Sequence, residues 1–151
     1  MMKKGKRLNY LLVYYALYFI GGFVYVGIEL LFRGRSHYTM FIVGGICFLL
    51  VGSLNEVIKK PVSLLTQGII GAIMITTVEF ITGCIVNLYL HWNVWDYSNM
   101  PFNVLGQICL PFTLAWVALA IVCVVVNDAL LVFFDIRKEM PKYKLVWNTG
   151  R

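Results

Sequence analysis

The sequence predicts an all-α membrane protein, a bundle of four transmembrane helices with both termini on the cytoplasmic side. Three observations carry that expectation. Of the 151 residues, 60% are hydrophobic and only 13% are charged, against about a quarter charged in an ordinary soluble domain. The apolar residues fall in four long runs, each able to cross the ~30 Å hydrocarbon core as a helix. Basic residues are confined to short clusters between those runs, as loop charges are in membrane proteins. A water-soluble chain this small buries too little of its surface to hide so much apolar area, whereas a bilayer solvates it. The length allows one membrane domain, residues 1–151, and no separate catalytic module.

The first run follows a basic start, with Lys3, Lys4, Lys6 and Arg7, and extends over residues 8–32. A signal peptide opens in the same way, but its apolar core is about 7–15 residues and ends at a small-residue cleavage site. This run is longer and ends in Glu29 and Arg33, so it reads as an uncleaved anchor and first helix. The second run, residues 38–57, stops at Lys59, Lys60 and Pro61. The third, 62–90, is roughly 40 Å long as a helix and should tilt or project from the membrane. The fourth, 104–134, contains Pro111, which is expected to bend it near its outer end. Residues 135–151 form a cytoplasmic tail.

Orientation follows from the loop charges. With the N-terminus inside, only Arg33 and Arg35 of the 13 basic residues fall outside, the bias expected of a multi-pass protein of the cell membrane. Trp92, Trp95 and Tyr97 then sit at the outer interface, where amphipathic rings are favoured. The net charge of +6 is therefore a topological signal. No basic stripe is interleaved with exposed aromatics, so nucleic acid is not the expected partner; the bilayer is.

Each run carries small or polar residues on one helical face. They are Tyr14, Tyr18, Gly21, Tyr25 and Glu29 in the first, and Gly45, Gly52 and Asn55 in the second. The third has Gly68, Ala72, Thr76, Glu79, Gly83 and Asn87, and the fourth Gly106, Thr113, Ala120 and Asn127. Small residues let helices approach closely in lipid, where packing rather than the hydrophobic effect drives association. No internal repeat of useful strength stands out.

Packing does not explain the acids. Glu79 lies inside the hydrocarbon zone, where a carboxylate costs several kcal/mol unless paired, protonated or water-exposed, and where such residues mark substrate or proton paths. Tyr18 or Tyr25 of the first helix, or Asn87, are its expected partners. The competing explanation is a purely structural hydrogen bond. Glu29 forms an i,i+4 pair with Arg33 at the outer edge, which as a surface salt bridge is worth little. Asn55, Glu56, Asn127 and Asp128 form an inner polar cluster, near Lys59 and Lys60, that suits a gate, a partner-docking site or ordinary helix ends. In the outer loop, Trp95, Asp96, Tyr97 and Asn103 are dense for a connection. Asp96 and Asn103 can each bond nearby backbone N–H groups, and the aromatics can floor an outward-facing pocket.

Catalytic templates fail. His37 and His91 have no metal-ligand partner at suitable spacing, and GxSxG, HExxH and a phosphate-cradling Gly-rich loop are missing. Cys47, Cys84, Cys109 and Cys123 lie in apolar runs without CxxC spacing, so metal and disulfides are not expected. No cofactor is implied.

One resemblance emerges from the segments Glu79-Phe80-Ile81-Thr82-Gly83, Trp95-Asp96-Tyr97-Ser98, Pro101-Phe102-Asn103 and Gly106-Gln107-Ile108-Cys109-Leu110. Together with the stretch from Gly22 to Glu29, they resemble the small membrane proteins of the ABC transporter permease, type IV (CmpB-like) family, which is similar to the vertebrate transmembrane protein 229 family. The resemblance covers roughly residues 20–125. It implies a small permease-type subunit, in which the intramembrane acids Glu79 and Glu29 would form the polar path. A permease of that kind would recruit a separate ATPase, since the chain has no Walker motif; a homo-oligomer is the other expected assembly. The alternative is a membrane scaffold or regulatory protein whose polar stripes serve packing and partner binding. A lipid-modifying enzyme would need a nucleophile and base that are not visible.

Overall fold

A computed structural model describes residues 4–58 and 62–146, with side chains from Asn9 onward. Lys3, Lys59, Lys60, Pro61 and Arg151 lie outside the described residues. The chain is all-helical: α1 (Lys4–Arg33), α2 (Tyr38–Gly52), α3 (Leu54–Val57), α4 (Leu64–Gly83) continued by a π-helical segment (Cys84–Tyr89), and α5 (Leu110–Phe133). Among the described residues, four spans are long and apolar enough to cross a membrane: Asn9–Arg33, Tyr38–Val57, Leu64–Tyr89 and Leu110–Phe133. Among the described residues there is no β-strand, only an isolated bridge between Val104 and Ile108.

Local chemistry sets the helix ends. Gly34, at φ +66°, closes α1 in the left-handed conformation that glycine adopts without penalty, and its N–H returns to Leu30 O at 3.0 Å. His37 caps α2 by accepting from Thr39 N. The second span is interrupted at Ser53, where α2 ends and the short α3 begins.

The start of α4 is capped completely. Ser63 Oγ accepts the Thr66 N–H at 3.1 Å. The Leu64 and Leu65 N–H groups donate to Lys144 O and Leu145 O, at 2.8 and 3.2 Å. The tail therefore folds back and supplies acceptors for donors that a helix leaves unpaired at its first turn.

The fourth helix begins at Leu110, not at residue 104. Pro111 does not bend it; proline fits the first turn, where no intrahelical N–H is needed. Upstream, Leu105 and Gly106 at φ +52° and +67° are incompatible with a right-handed helix, so Gly106 belongs to the outer loop and not to a helical stripe.

The helices pack as two pairs, α1 with α2 and α4 with α5, and α2 touches both members of the second pair. The α1–α2 seam is built from a repeated pattern. Tyr18 and Tyr25 bracket Gly21-Gly22, and Phe41 and Phe48 bracket Gly44-Gly45. Each ring covers a glycine of the other helix: Phe48 over Gly21, Phe41 over Gly22, Tyr25 over Gly44 and Tyr18 over Gly45. A Cβ at any of the four would strike the ring above it, so glycine here permits close approach in lipid. Across the second pair, Gly68 and Gly71 meet Ile121 and Ala120. The core lies between α2, α4 and α5, with Val51, Ala72, Ala120 and Val124 at its centre. Helix α1 barely meets α5, and a groove remains between them.

Candidate functional site

Two polar centres lie at opposite ends of the bundle. The first surrounds Glu79, which is 3% exposed. Its Oε1 is 3.1 Å from the Tyr97 hydroxyl, and its Oε2 accepts the Trp116 indole N–H at 3.0 Å. The expected partners lie elsewhere. Tyr18 and Tyr25 are committed to the glycine seam, and Asn87 bonds Val94 N and Gln107 Oε1, at 2.7 and 2.8 Å. Indole can only donate, whereas phenol can donate or accept. The site therefore accommodates a carboxylate taking two hydrogen bonds, or a neutral acid giving one to Tyr97 and taking one from Trp116.

The loop between the third and fourth spans, expected on the outer side, is the other half of this centre. Gly83, one turn after Glu79, leaves space that a Cβ would fill at 2.6 Å from Gln107 Oε1 and 3.0 Å from Trp95 Cζ2. Trp95 is 3% exposed and donates to Gln107 O at 2.9 Å, so it is an anchor beneath the loop and not an interfacial ring. Tyr97, two residues on, reaches Glu79 and stacks on Phe112 with ring centroids 4.8 Å apart. Burial first, then the adjacent Glu79 charge, push the Tyr97 phenol well above its usual range, and Arg33 works against both. The π-helical winding after Gly83, with Leu90 N returning to Ile85 O, keeps Asn87 near the Glu79–Gly83 face. From there Asn87 ties both ends of the loop.

Asp96 and Asn103 hold the loop's own shape. Asp96 Oδ1 accepts Ser98 N and Ser98 Oγ at 2.8 and 2.5 Å, an Asx turn. These bonds to Ser98 hold the exposed carboxyl below its usual range. Asn103 accepts from Gly106 N and donates to Ser98 O and Met100 O.

Above Glu79, Glu29 is also buried, at 6% exposure. It accepts from Arg33 at 2.8 Å and from Ser36 at 2.6 Å, and Arg33 also donates to Val94 O at 2.8 Å. The pair predicted as a surface salt bridge is thus half-enclosed and clasps α1 to the outer loop. Beside it opens a pocket lined by this pair with Arg35, His37 and Trp92.

The second centre is Asp128, fully buried at the end of α5. It accepts from Asn55 Nδ2 and Arg137, each at 2.5 Å, and from the Tyr143 hydroxyl. Arg137 also pairs with Glu56, and Asn127 donates to Gly52 O at 2.8 Å where α2 stops. Burial, then the hydrogen bond to Asp128, raise the Tyr143 phenol well above its ordinary value. All four residues of the predicted inner cluster belong to this end of the bundle; the predicted neighbours Lys59 and Lys60 are outside the described residues.

Sequence reasoning missed Trp116, Arg137 and Tyr143. A signal existed for Trp116, since a tryptophan on the Ala120 face of a buried helix needs an acceptor for its N–H. Among the described residues no group of three or more metal-ligating side chains converges.

Four spans among the described residues, two buried acidic centres and a loop interlocked with the third span define a multi-pass integral membrane protein. The match extends over residues 12–147 to the family described as Putative ABC-transporter type IV, and the chain belongs to that family. No curated protein and no solved structure matches it.

Proposed function

We propose that this chain is a non-enzymatic, membrane-embedded subunit of a transport system of the cell membrane, oriented with both termini in the cytoplasm. Its polar path runs through the outer half of the bundle, from Glu29 to Glu79. One observation carries this reading: two carboxylic acids, 6% and 3% exposed, occupy the same half of a lipid-facing bundle, where unexploited acids are costly. The Glu79 site adds the ability to keep its hydrogen bonds in either protonation state. Family membership supports the reading. Because the sequence has no Walker motif, energy would come from a separate ATPase meeting the cytoplasmic face, where the tail is folded against α4.

A scaffold role is the second reading, and a specific observation favours it: both Glu79 oxygens already have protein donors. The two readings separate in proteoliposomes carrying a trapped pH-sensitive dye under an imposed potassium diffusion potential. A proton path through Glu29 and Glu79, which conducts down that potential without the ATPase, requires flux in the wild type that Glu79→Gln abolishes while the melting temperature holds. Absence of flux in the wild type supports the scaffold.

A further inference from the structure

Arg35, at the end of the bundle that carries the 90–109 loop, is a cation that no described residue of the protein neutralises. Arg33 spends its guanidinium on Glu29 and Val94 O, but among the described residues Arg35 makes no ion pair and no hydrogen bond. It lines the pocket beside the neutralised Glu29–Arg33 pair, together with His37 and Trp92. One positive charge is therefore left over. The pocket also lies at the start of the 15-residue α2, whose N-terminal dipole favours an anion.

A second cavity lies further along α1, sharing no lining residue with the first. Tyr25 and Glu29 are one turn apart on one helical face, and Glu29 lines the charged pocket while Tyr25 lines the groove between α1 and α5. That groove is walled by Ile20, Val24, Phe48, Trp116, Val122 and other apolar neighbours. It lies at hydrocarbon depth. A net-positive pocket stacked above an apolar groove matches the polarity profile of a phosphate-bearing head joined to an acyl chain.

We infer that the chain binds one phospholipid, its phosphate against Arg35 at the start of α2 and one acyl chain in the α1–α5 groove. Trp92 forms the aromatic wall beside the head, with the His37 ring 5.5 Å away. The lipid fills the gap left where α1 fails to meet α5. The site stands whether or not the protein conducts anything.

The test is native mass spectrometry of the detergent-solubilised full chain titrated with phosphatidylglycerol, with diacylglycerol of the same chains, and with inorganic phosphate. Phosphatidylglycerol is expected to stay bound through micelle release, diacylglycerol to be lost, and millimolar phosphate not to displace the lipid. Arg35→Gln should weaken retention about ten-fold, the effect of one lost charge-assisted contact, with an unchanged melting temperature because Arg35 supports nothing else. Val122→Trp, a half-exposed position in the groove, should weaken it independently. Equal retention by Arg35→Gln, or equal binding of diacylglycerol, overturns the headgroup site. Displacement by phosphate alone places a soluble anion there and overturns the lipid.

Discussion

Tyr97 places its hydroxyl 3.1 Å from Oε1 of Glu79, joining a loop outside the helices to an acid inside the third span. The neighbouring contact obeys the same geometry. Trp95 sits over Gly83, four residues from Glu79 on the helix and two from Tyr97 on the loop. One helical turn spans about 5.4 Å of axis, and two extended residues cover a similar distance. Two anchors on each side thus stay in register, and the two sequence motifs are halves of one lock.

The lock should be measurable as coupling. Tyr97→Phe removes one of the two donors to Glu79 and should cost about 1–2 kcal/mol of stability in detergent. Glu79→Leu should cost more, because it strands the Trp116 indole as well. Glu79→Gln should be nearly silent for stability. Its amide oxygen faces the indole, which can only donate, while its amide nitrogen donates to the phenol oxygen. A double-mutant cycle of Tyr97→Phe with Glu79→Leu should show strong non-additivity. Additive losses would mean that the two side chains act independently.

The Asx turn at Asp96 should give the loop an acid dependence. Its carboxyl is held below its usual range by Ser98, so the folded loop favours the charged form. That contribution is complete above the ordinary carboxylate range and is lost as pH falls through the lowered folded value. Asp96→Ala should therefore lower the melting temperature at neutral pH and change it far less in strong acid. The same loss at both pH values would show that the carboxylate charge does not matter.

What the sequence made legible, and what it hid, follows from the range of the forces involved. Four spans were visible because hydrocarbon thickness is imposed on each run separately. The start of α5 was misplaced by six residues because residues 104–109 are as apolar as a helix. Only the left-handed backbone at Leu105 and Gly106 and the placement of Pro111 in the first turn mark the boundary. Glu79 announced itself by cost alone, whereas its partners come from residues 18 and 37 positions away, which no periodicity reports. The pattern of two aromatics bracketing a glycine pair, present in both α1 and α2, was readable but looks like ordinary membrane composition until the two copies face each other.

Asp128 should prove the costliest charge to unpair. It is fully buried and its main cation is Arg137, so Arg137→Gln leaves an uncompensated carboxylate, a loss of about 3–5 kcal/mol. Adding Asp128→Asn should recover much of it, since no charge is then stranded. Tyr143→Phe should also loosen the tail. Because Lys144 O and Leu145 O cap α4, the Leu64 and Leu65 amides should then exchange hydrogen faster while the Ala72 amide stays protected. Unchanged exchange at both positions would show that Tyr143 does not hold the tail in place.

Orientation is the remaining prediction, and it rests on charge rather than shape. A four-span bundle puts both termini at one end whichever way it is inserted, so the geometry is silent about which end is inside. The basic residues are not: Arg33 and Arg35 flank the pocket beside Glu29, while Arg137, Lys138, Lys142 and Lys144 follow α5 at the opposite end, which the positive-inside bias places in the cytoplasm. Phe102 is 80% exposed in the outer loop, and Lys142 is exposed in the tail, so each offers a site that supports no buried contact. In intact cells a membrane-impermeant maleimide should label Phe102→Cys at once and Lys142→Cys only after permeabilisation. Both should be compared with the unsubstituted chain, whose four free cysteines set the background. The reverse labelling pattern would invert the protein, put the Arg35 pocket in the cytoplasmic leaflet, and remove the surface on which an ATPase is expected to act.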